Sequence, residues 1–476
     1  MCYNLSMDET QEKEPLQQKK GVKDLTLGKP HIAIISFALP IFLSQLFQQL
    51  YSTADAFIVG QFLGTQSLGA VSSSGNLIFL LVSFFNGTAM GAGVVIARYI
   101  GAKNEENVKK AIHTNLAFGL VCGVLLTIVG VIFTPTFLRW MNTDENLMSE
   151  AVEYFRYYFL GSLSTVLYNI CRSIMNAVGN SKRPLYHLIF SSVLNVLLDL
   201  LFIGVFRWGV WSAAIATVIS QTASVVMCFN YLLKKGNIFS VELKQIKFDG
   251  KMLKEIIRIG LPSGVQNSVI ALANVIVQSQ INSFGEYATT AYGVYSKIEG
   301  FAFMPIMSFS LALTTFIGQN LGAKQYDRAK KGARFGIITG VITAEIIAVA
   351  LYFAAPYLIQ LFDSEKTPEV IELGVRQIHT TSLFYFLLAY SHCIAGICRG
   401  AGRAIVPMII MLSVWCVLRV IYIYIIMQLT TDIIYIYWAY PLTWAISSII
   451  YFIYYVSADW VHAFEKQKER KLKPQK

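Results

Sequence analysis

The chain has 476 residues, of which 55% are hydrophobic and only 14% are charged, and its formal net charge is +11. An ordinary soluble domain has about 25% charged residues, so this composition excludes that class and indicates an integral membrane protein. The apolar runs are about 20 residues or longer, which predicts spanning helices and not the shorter strands of a barrel. The positive charge does not indicate a nucleic-acid partner, because the lysines and arginines cluster in short loops between the apolar runs.

The apolar runs predict twelve transmembrane helices in an all-α membrane protein. They lie near residues 32–62, 68–97, 111–133, 152–176, 184–204, 208–233, 255–283, 288–317, 332–356, 374–398, 405–428 and 433–457. Every second connection is basic, and the alternate connections are neutral or acidic. The positive-inside rule therefore predicts that both termini are cytoplasmic.

The sequence also repeats itself with a period of about 220 residues. Leu39-Pro40 in the first run matches Leu261-Pro262 in the seventh, and Gly101-Ala102-Lys103 matches Gly322-Ala323-Lys324. Each half has six spans and begins on the same side, which predicts two parallel-repeat lobes around a central cavity, as in transporters. The predicted units are a cytosolic tail (1–30), an N-lobe (31–235), a cytosolic linker (236–254), a C-lobe (255–457) and a basic cytosolic tail (458–476).

Asp55 is the only Asp, Glu, Lys or Arg between Lys29 and Arg98, and it lies in the first apolar run. An ionisable residue inside a membrane span is costly, so it is interpreted by default as part of a substrate, ion or proton path. Gln48 or Gln49 precedes it on the same helix face, which predicts a water-lined surface there. Pro40 lies further upstream in this helix and removes a backbone donor, which predicts a bend.

A second carboxylate, Asp199, lies in the fifth span, and Asn195 shares its helix face. If Asp55 and Asp199 meet, the oxygens would form a site for a proton or a small hard cation such as Na⁺, to which Thr217 of the sixth span could add a hydroxyl. Two alternatives stay open: Asp199 could be a structural carboxylate or pair with Arg207, and Thr217 could bond only its own helix backbone. No other metal site is expected.

The second half carries intramembrane charges of its own, among them Glu299 in the eighth span, Glu345 in the ninth and Arg419 in the eleventh. These residues could line a substrate cavity, or Arg419 could form a buried ion pair with Glu299 or Glu345. The seventh span has several amides and no acid, which predicts a polar cavity face or hydrogen bonding between helices. The candidate cavity residues are Gln48, Gln49, Gln266, Asn274, Gln278 and Glu299.

No enzyme chemistry is indicated by the motifs. The sequence has no Gly-rich phosphate loop ending in Lys-Ser/Thr and no His-Glu-x-x-His. We therefore expect a protein that is not an enzyme, needs no cofactor, and draws on an ion gradient if it transports.

With the repeat in view, the chain resembles the multidrug and toxic compound extrusion (MATE) family over about residues 30 to 457. The motifs that carry this resemblance are Leu39-Pro40, Tyr51 to Asp55 with Gly60, Gly101 to Lys103, Gly318 to Lys324, Gly179 to Pro184, Asn195 with Asp199, and Trp208 to Val210 followed by Ala213 to Thr217. The family's fold is two six-helix lobes in a V shape. Its members export organic cations in exchange for protons or sodium.

Carried over by position, the resemblance implies a proton or cation site of Asp55, Asn195, Asp199 and Thr217, with Tyr51 one turn before Asp55. It also implies that Pro40 marks a bend in the first helix. The seventh span, Ser268 to Asn274, lacks the acid of one branch, so the chain looks more like the DinF-type prokaryotic branch. The resemblance further implies a monomer in the plasma membrane, with organic cations and the bilayer as partners.

The function expected from the sequence is a multidrug efflux antiporter that works by alternating access. A flippase or exporter of lipid-linked precursors, from the same superfamily, is the first alternative; it would favour a broad, strongly basic cavity. A membrane scaffold or receptor that does not transport is the second, but it would leave the intramembrane carboxylates on polar faces unexplained.

Overall fold

Helices are the only regular elements in the residues described by the computed structural model, which are 23–140, 143–234, 236–362 and 367–465. Within α-helical residues, the side chains of 65, 66, 68 and 72–82 are not described. Most of the predicted N-terminal tail, residues 1–22, and the last part of the predicted basic tail, residues 466–476, therefore lie outside the described residues.

The α-helices follow one another with short connections. Their bounds are α1 Pro30–Leu63, α2 Thr65–Gly101, α3 Glu105–Trp140, α4 Glu145–Leu160, α5 Ser162–Ala177, α6 Lys182–Asp199, α7 Trp211–Leu232, α8 Gly250–Asn282, α9 Glu286–Gly322, α10 Tyr326–Phe362, α11 Pro368–Thr381, α12 Tyr385–Gly400, α13 Ile405–Met411, α14 Arg419–Leu429, α15 Ile434–Tyr437 and α16 Ala439–Ser457. Two of them continue in π-helical form: α6 through Leu200–Val205, and α13 through Leu412–Leu418 into α14.

Ten helical segments of the described residues are long and apolar enough to cross a bilayer. They are α1, α3, α6 with its π-helical extension, α7, α8, α9, α10, α11–α12, α13–α14 and α15–α16. The second and fourth predicted spans correspond to α2 and to α4–α5. Both are helical, but α4 and α5 have only 16 residues each, and part of α2 has no described side chains.

Each half of the chain has its own apolar core. One cluster joins buried side chains of α2, α3, α5, α6 and α7 with the first turns of α8, and it includes Ile112, Ile174 and Cys228. Another joins side chains of α8 to α16, and it includes Tyr295, Trp415 and Tyr451. The first turns of α1 pack against α9 and α10 in a third cluster, so α1 links the two halves.

The halves meet where glycines bring two helix backbones together. A Cβ on Gly91 of α2 would lie 2.2 Å from the backbone nitrogen of Gly260 in α8, and one on Gly87 would lie 2.3 Å from that of Gly264. Further along, a Cβ on Gly101 would lie 1.9 Å from the carbonyl oxygen of Gln319 in α9. Only residues without a side chain allow such close approach. We call the end of the bundle where α2 and α9 terminate the closed end.

A short segment of turns, residues 23–28, crosses this closed end, and we call it the N-terminal strap. Leu25 of the strap is fully buried; its N–H donates to Oε1 of Gln319 over 3.1 Å, and its carbonyl oxygen accepts from Asn320. Gln319 also donates through Nε2 to the carbonyl oxygen of Ala177 in α5, over 2.7 Å. Arg328 of α10 donates to carbonyl oxygens of Leu25, Leu27 and Gly28. The strap is thus hydrogen-bonded into the contact between the halves.

Candidate functional site

A cavity of about 1290 Å³ lies between the two halves. Its polar lining is mainly amides and hydroxyls from α1, α2, α5, α8 and α9. Among the described residues, three charged side chains reach its wall: Arg172 from α5, Glu299 from α9 and Arg419 from α14. The aromatic side chains Tyr292, Trp415, Tyr440 and Trp444 line the part of the wall that belongs to the second half. Such a polar and aromatic cavity suits an amphipathic small molecule.

Of the six cavity residues named from the sequence, the structure places Gln48, Gln49, Asn274, Gln278 and Glu299 in the cavity wall. The sixth, Gln266, lies elsewhere. It is 2% exposed, and its amide nitrogen lies against the sulfur of Met411 in α13. Gln266 faces the neighbouring helix because α8 turns by about 100° per residue, so an amide eight or twelve positions from Asn274 or Gln278 drifts off their face. The prediction that Gln266 lines the cavity is therefore replaced by a contact between helices.

The carboxyl groups of Asp55 and Asp199 lie within hydrogen-bonding reach of each other. Asp199 is fully buried at the end of α6, and neither of its oxygens accepts a hydrogen bond from a described donor. Two carboxylates cannot hydrogen-bond unless one of them holds a proton. The arrangement can therefore bind a proton between the two groups, or a small cation against both.

Amide and hydroxyl groups border this pair. Asn195 of α6 donates through Nδ2 to Oγ1 of Thr217 in α7 over 3.4 Å, and its Oδ1 has no described donor. Tyr51 lies one turn before Asp55 in α1 and within electrostatic range of both carboxyls. Arg207, the alternative partner of Asp199, is exposed and makes no ion pair with it. The five residues carried over from the family resemblance therefore lie in one neighbourhood.

Two tyrosines that were not predicted from the sequence lie near the pair. Tyr154 and Tyr158 of α4 lie within electrostatic range of Asp55, and their rings stack with centroids 6.3 Å apart. Their spacing of four residues on an amphipathic helix was the available signal. The sequence does not show which helices α4 contacts. The structure shows that α4 packs against α7, and this places its tyrosines near the site.

The first helix is continuous through Pro40, which is buried, and the hydroxyl of Ser44 donates to the Pro40 carbonyl oxygen over 2.8 Å. A proline inside a helix removes one backbone hydrogen bond, so α1 is locally weakened at Pro40. Pro40 lies between the part of α1 packed on α9 and α10 and the part that carries Asp55.

Glu299 and Arg419 share one wall of the cavity without forming an ion pair within the described residues. Oε1 of Glu299 accepts from the hydroxyl of Tyr295 over 2.8 Å. Arg419 donates through Nε and Nη2 to Oγ1 of Thr443, over 3.2 and 2.8 Å. Glu345 lies away from both, where it accepts a backbone hydrogen bond from Phe386. The buried ion pair considered as an alternative is thus absent from the described part of the chain.

The described residues contain no cluster of three or more His, Cys, Asp or Glu side chains that could hold a metal ion. Any cation at the Asp55 and Asp199 pair would need neutral oxygens, such as those of Asn195 and Thr217, to complete its coordination. A helical bundle with a central polar cavity and a buried acidic pair beside it defines a membrane transporter.

Comparison with known proteins identifies the family. The MatE family model matches residues 40–201 and again residues 262–425. The probable multidrug resistance protein YoeA of Bacillus subtilis is 31% identical over 458 residues, which cover 94% of this chain and 97% of that protein. YpnP, another probable multidrug resistance protein of that organism, is 27% identical over 400 residues, covering 83% and 88%. The chain belongs to the multidrug and toxic compound extrusion (MATE) family.

The fold agrees with solved structures of the family. A structure described as an outward-facing conformation of a multidrug resistance MATE family transporter of the MOP superfamily superimposes with a TM-score of 0.86 at 23% identity. The match covers 92% of this chain and 97% of that one. The predicted membership of the family, on a helical membrane fold, is confirmed.

Proposed function

We propose that this protein is a multidrug efflux antiporter that exports small organic molecules, organic cations among them, in exchange for inward-moving protons or sodium ions. The observation that carries the proposal is the buried pair of Asp55 and Asp199, which lies beside the cavity and takes part in none of the ion pairs among the described residues. A paired carboxylate without a basic neighbour inside a membrane protein has little structural use and a clear use in binding a cation.

Coupling follows from the chemistry of this pair. When both groups are charged they repel each other and attract a proton or Na⁺. Occupancy of the pair lowers its net charge, which favours a different packing of α1 against α4, α6 and α7. If the cavity binds substrate more tightly in one of the two packings, the two flows are linked.

The proposal includes twelve spans arranged as two six-helix lobes, a monomeric unit, and a multi-pass position in the plasma membrane with both termini in the cytosol. Its support is the alternation of basic connections along the chain and the family model that matches each half. On this topology the closed end faces the cytosol. Accessibility of single cysteines at Lys110 and Glu286 to an impermeant thiol reagent would test it, since the two should react from opposite sides.

The experiment for the antiport is dye efflux from reconstituted vesicles under an imposed pH gradient and then under a sodium gradient. Asp55→Asn is expected to lose gradient-driven transport by about tenfold or more, the scale of typical coupling free energies. Asp432→Asn is the control, because Asp432 is an exposed aspartate paired with Arg376 over 3.2 Å. Full transport by Asp55→Asn would contradict the coupling site, and no dye movement in the wild type under either gradient would contradict the antiporter.

A further inference from the structure

The charges that line the cavity are unexpected for a cavity that binds only cations. Among the described lining residues two are cationic, Arg172 and Arg419, and one is acidic, Glu299. Asp55 and Asp199 do not line it. The wall therefore carries more positive than negative charge, and the acidic pair acts on the coupling ion from outside the substrate space.

Arg419 is held in place and forms no ion pair with a described residue, although Glu299 on the same wall lies within electrostatic range of it. Its side chain is 2% exposed, its guanidinium carbon lies 4.5 Å from the ring centroid of Tyr440, and two of its three nitrogens donate to Thr443. The third nitrogen, Nη1, makes no hydrogen bond to a described residue. A buried arginine that forms no ion pair is costly, and its fixed fork matches a carboxylate or phosphate group.

A second unpartnered group lies beside the same tryptophan. His392 of α12 is 6% exposed and lines the cavity, and neither of its ring nitrogens has a hydrogen-bond partner in the described structure. Its ring centroid lies 5.3 Å from that of Trp415, whose ring centroid is 5.7 Å from the guanidinium carbon of Arg419. Buried ring nitrogens are normally hydrogen-bonded, so His392 has two unused hydrogen-bonding positions next to the cavity wall.

Flat aromatic surfaces adjoin these two donors. The indole nitrogen of Trp415 donates to Ser447 over 2.9 Å, which fixes the ring at the cavity wall. Tyr440 and Trp444 continue the aromatic surface, with ring centroids 5.9 Å apart. Such rings stack on an aromatic ligand and leave its charged substituent to be recognised by the polar groups.

We propose that Arg419 and His392 form an anion subsite that binds the carboxylate or phosphate group of an aromatic small molecule, so that the transporter carries organic anions as well as organic cations. The inference rests on the proposed transport function and adds a substrate class to the same cavity. Glu299, held by Tyr295 on the same wall, serves the cationic substituent of a substrate that has one.

The test compares two xanthene dyes of similar ring system and opposite charge, anionic carboxyfluorescein and cationic rhodamine 123. The full-length protein is placed in nanodiscs of phosphatidylcholine, and binding of each dye is followed by fluorescence anisotropy. The wild type should bind both. Arg419→Gln should weaken carboxyfluorescein binding by about tenfold or more, the loss expected for one charge-assisted hydrogen bond, and should leave rhodamine binding within about twofold.

Further variants separate binding from folding. Arg419→Lys keeps the buried charge without the fork and should retain part of the anion affinity, while His392→Phe keeps the aromatic packing and should lose affinity for the anionic dye alone. Arg376→Gln, at a half-buried arginine outside the cavity wall, is the control and should change neither dye. Equal loss of both dyes in correctly folded Arg419→Gln, or no loss of either, would overturn the proposal.

One arm distinguishes small anions from lipid headgroups. Nanodiscs that contain phosphatidylglycerol supply a lipid phosphate, and benzoate or phenyl phosphate supplies the same chemistry without a lipid. Displacement of carboxyfluorescein by the small aromatic anions supports the proposal. Displacement by the anionic lipid alone would overturn it in favour of a lipid site. Dye binding needs no gradient, so it can be measured even if gradient-driven transport fails. Failure of the anion subsite and failure of the proposed antiport are therefore distinguishable.

Discussion

At the scale of single residues, a buried acid in the first half and a buried base in the second half each lie next to a π-helical segment. Asp199 lies at the end of α6, directly before the π-helical residues Leu200–Val205, and Arg419 begins α14, directly after the π-helical residues Leu412–Leu418. Irregular helical turns of this kind are frequent at functional sites. The first half thus places an acid, and the second half a base, beside a similar local distortion.

The acidic pair should oppose stability. Asp199→Asn removes one of two neighbouring buried carboxyls and keeps its shape, so we expect a raised midpoint of thermal unfolding at neutral pH together with lost gradient-driven transport. Differential scanning fluorimetry in detergent measures the first and vesicle efflux the second. A lowered midpoint would show that the carboxylate is structural.

The two aspartates should also act as one unit. If they share a single proton or cation, the Asp55→Asn, Asp199→Asn double variant should transport no worse than either single variant, which is strong non-additivity. Losses that multiply in the double variant would mean that the two groups act independently.

At the scale of helices, the contact between α2 and α8 is set by the absence of side chains. Gly91→Leu would put a Cβ 2.2 Å from the backbone of Gly260, so the helices must separate. We expect a loss of about 2 kcal/mol or more in stability, typical of overpacking, measured as the shift in thermal unfolding. Gly293→Leu in α9 is the matched control, since its Cβ would have no neighbour within 4 Å and should change little.

The helices, the family and the candidate acids could be predicted from the sequence, because apolar runs and the charges inside them are local signals. Sequence reasoning could not decide which side of α8 faces the cavity, and so it misplaced Gln266. It also missed Tyr154, Tyr158 and the environment of His392, since these depend on which helices become neighbours. The close approach of Gly91 to Gly260 was equally invisible, because spacing of glycines does not name the partner helix.

At the scale of the whole molecule, the N-terminal strap and Gln319 tie the halves together at the closed end. Gln319→Leu leaves the N–H of Leu25 and the carbonyl oxygen of Ala177 without partners, which disfavours this packing by roughly 1–3 kcal/mol. We expect distances between spin labels at Lys110 and Lys330 to become longer and broader.

The matched control is Gln245→Leu, because Gln245 is an exposed linker residue whose amide reaches only Glu242. Its distance distribution should equal that of the wild type. An unchanged distribution in Gln319→Leu would show that the strap does not hold the closed end.

The strap has a consequence for how the protein is made. Leu25 is translated well before its partners, because Gln319 and Arg328 follow 294 and 303 residues later. At about 5–20 residues per second, the strap therefore waits roughly 15–60 s for its binding surface. The strap can dock only after the second half has been inserted. A ribosome-bound chain that ends after α7 should therefore expose the strap to proteases and chaperones. In a full-length chain the strap should be protected.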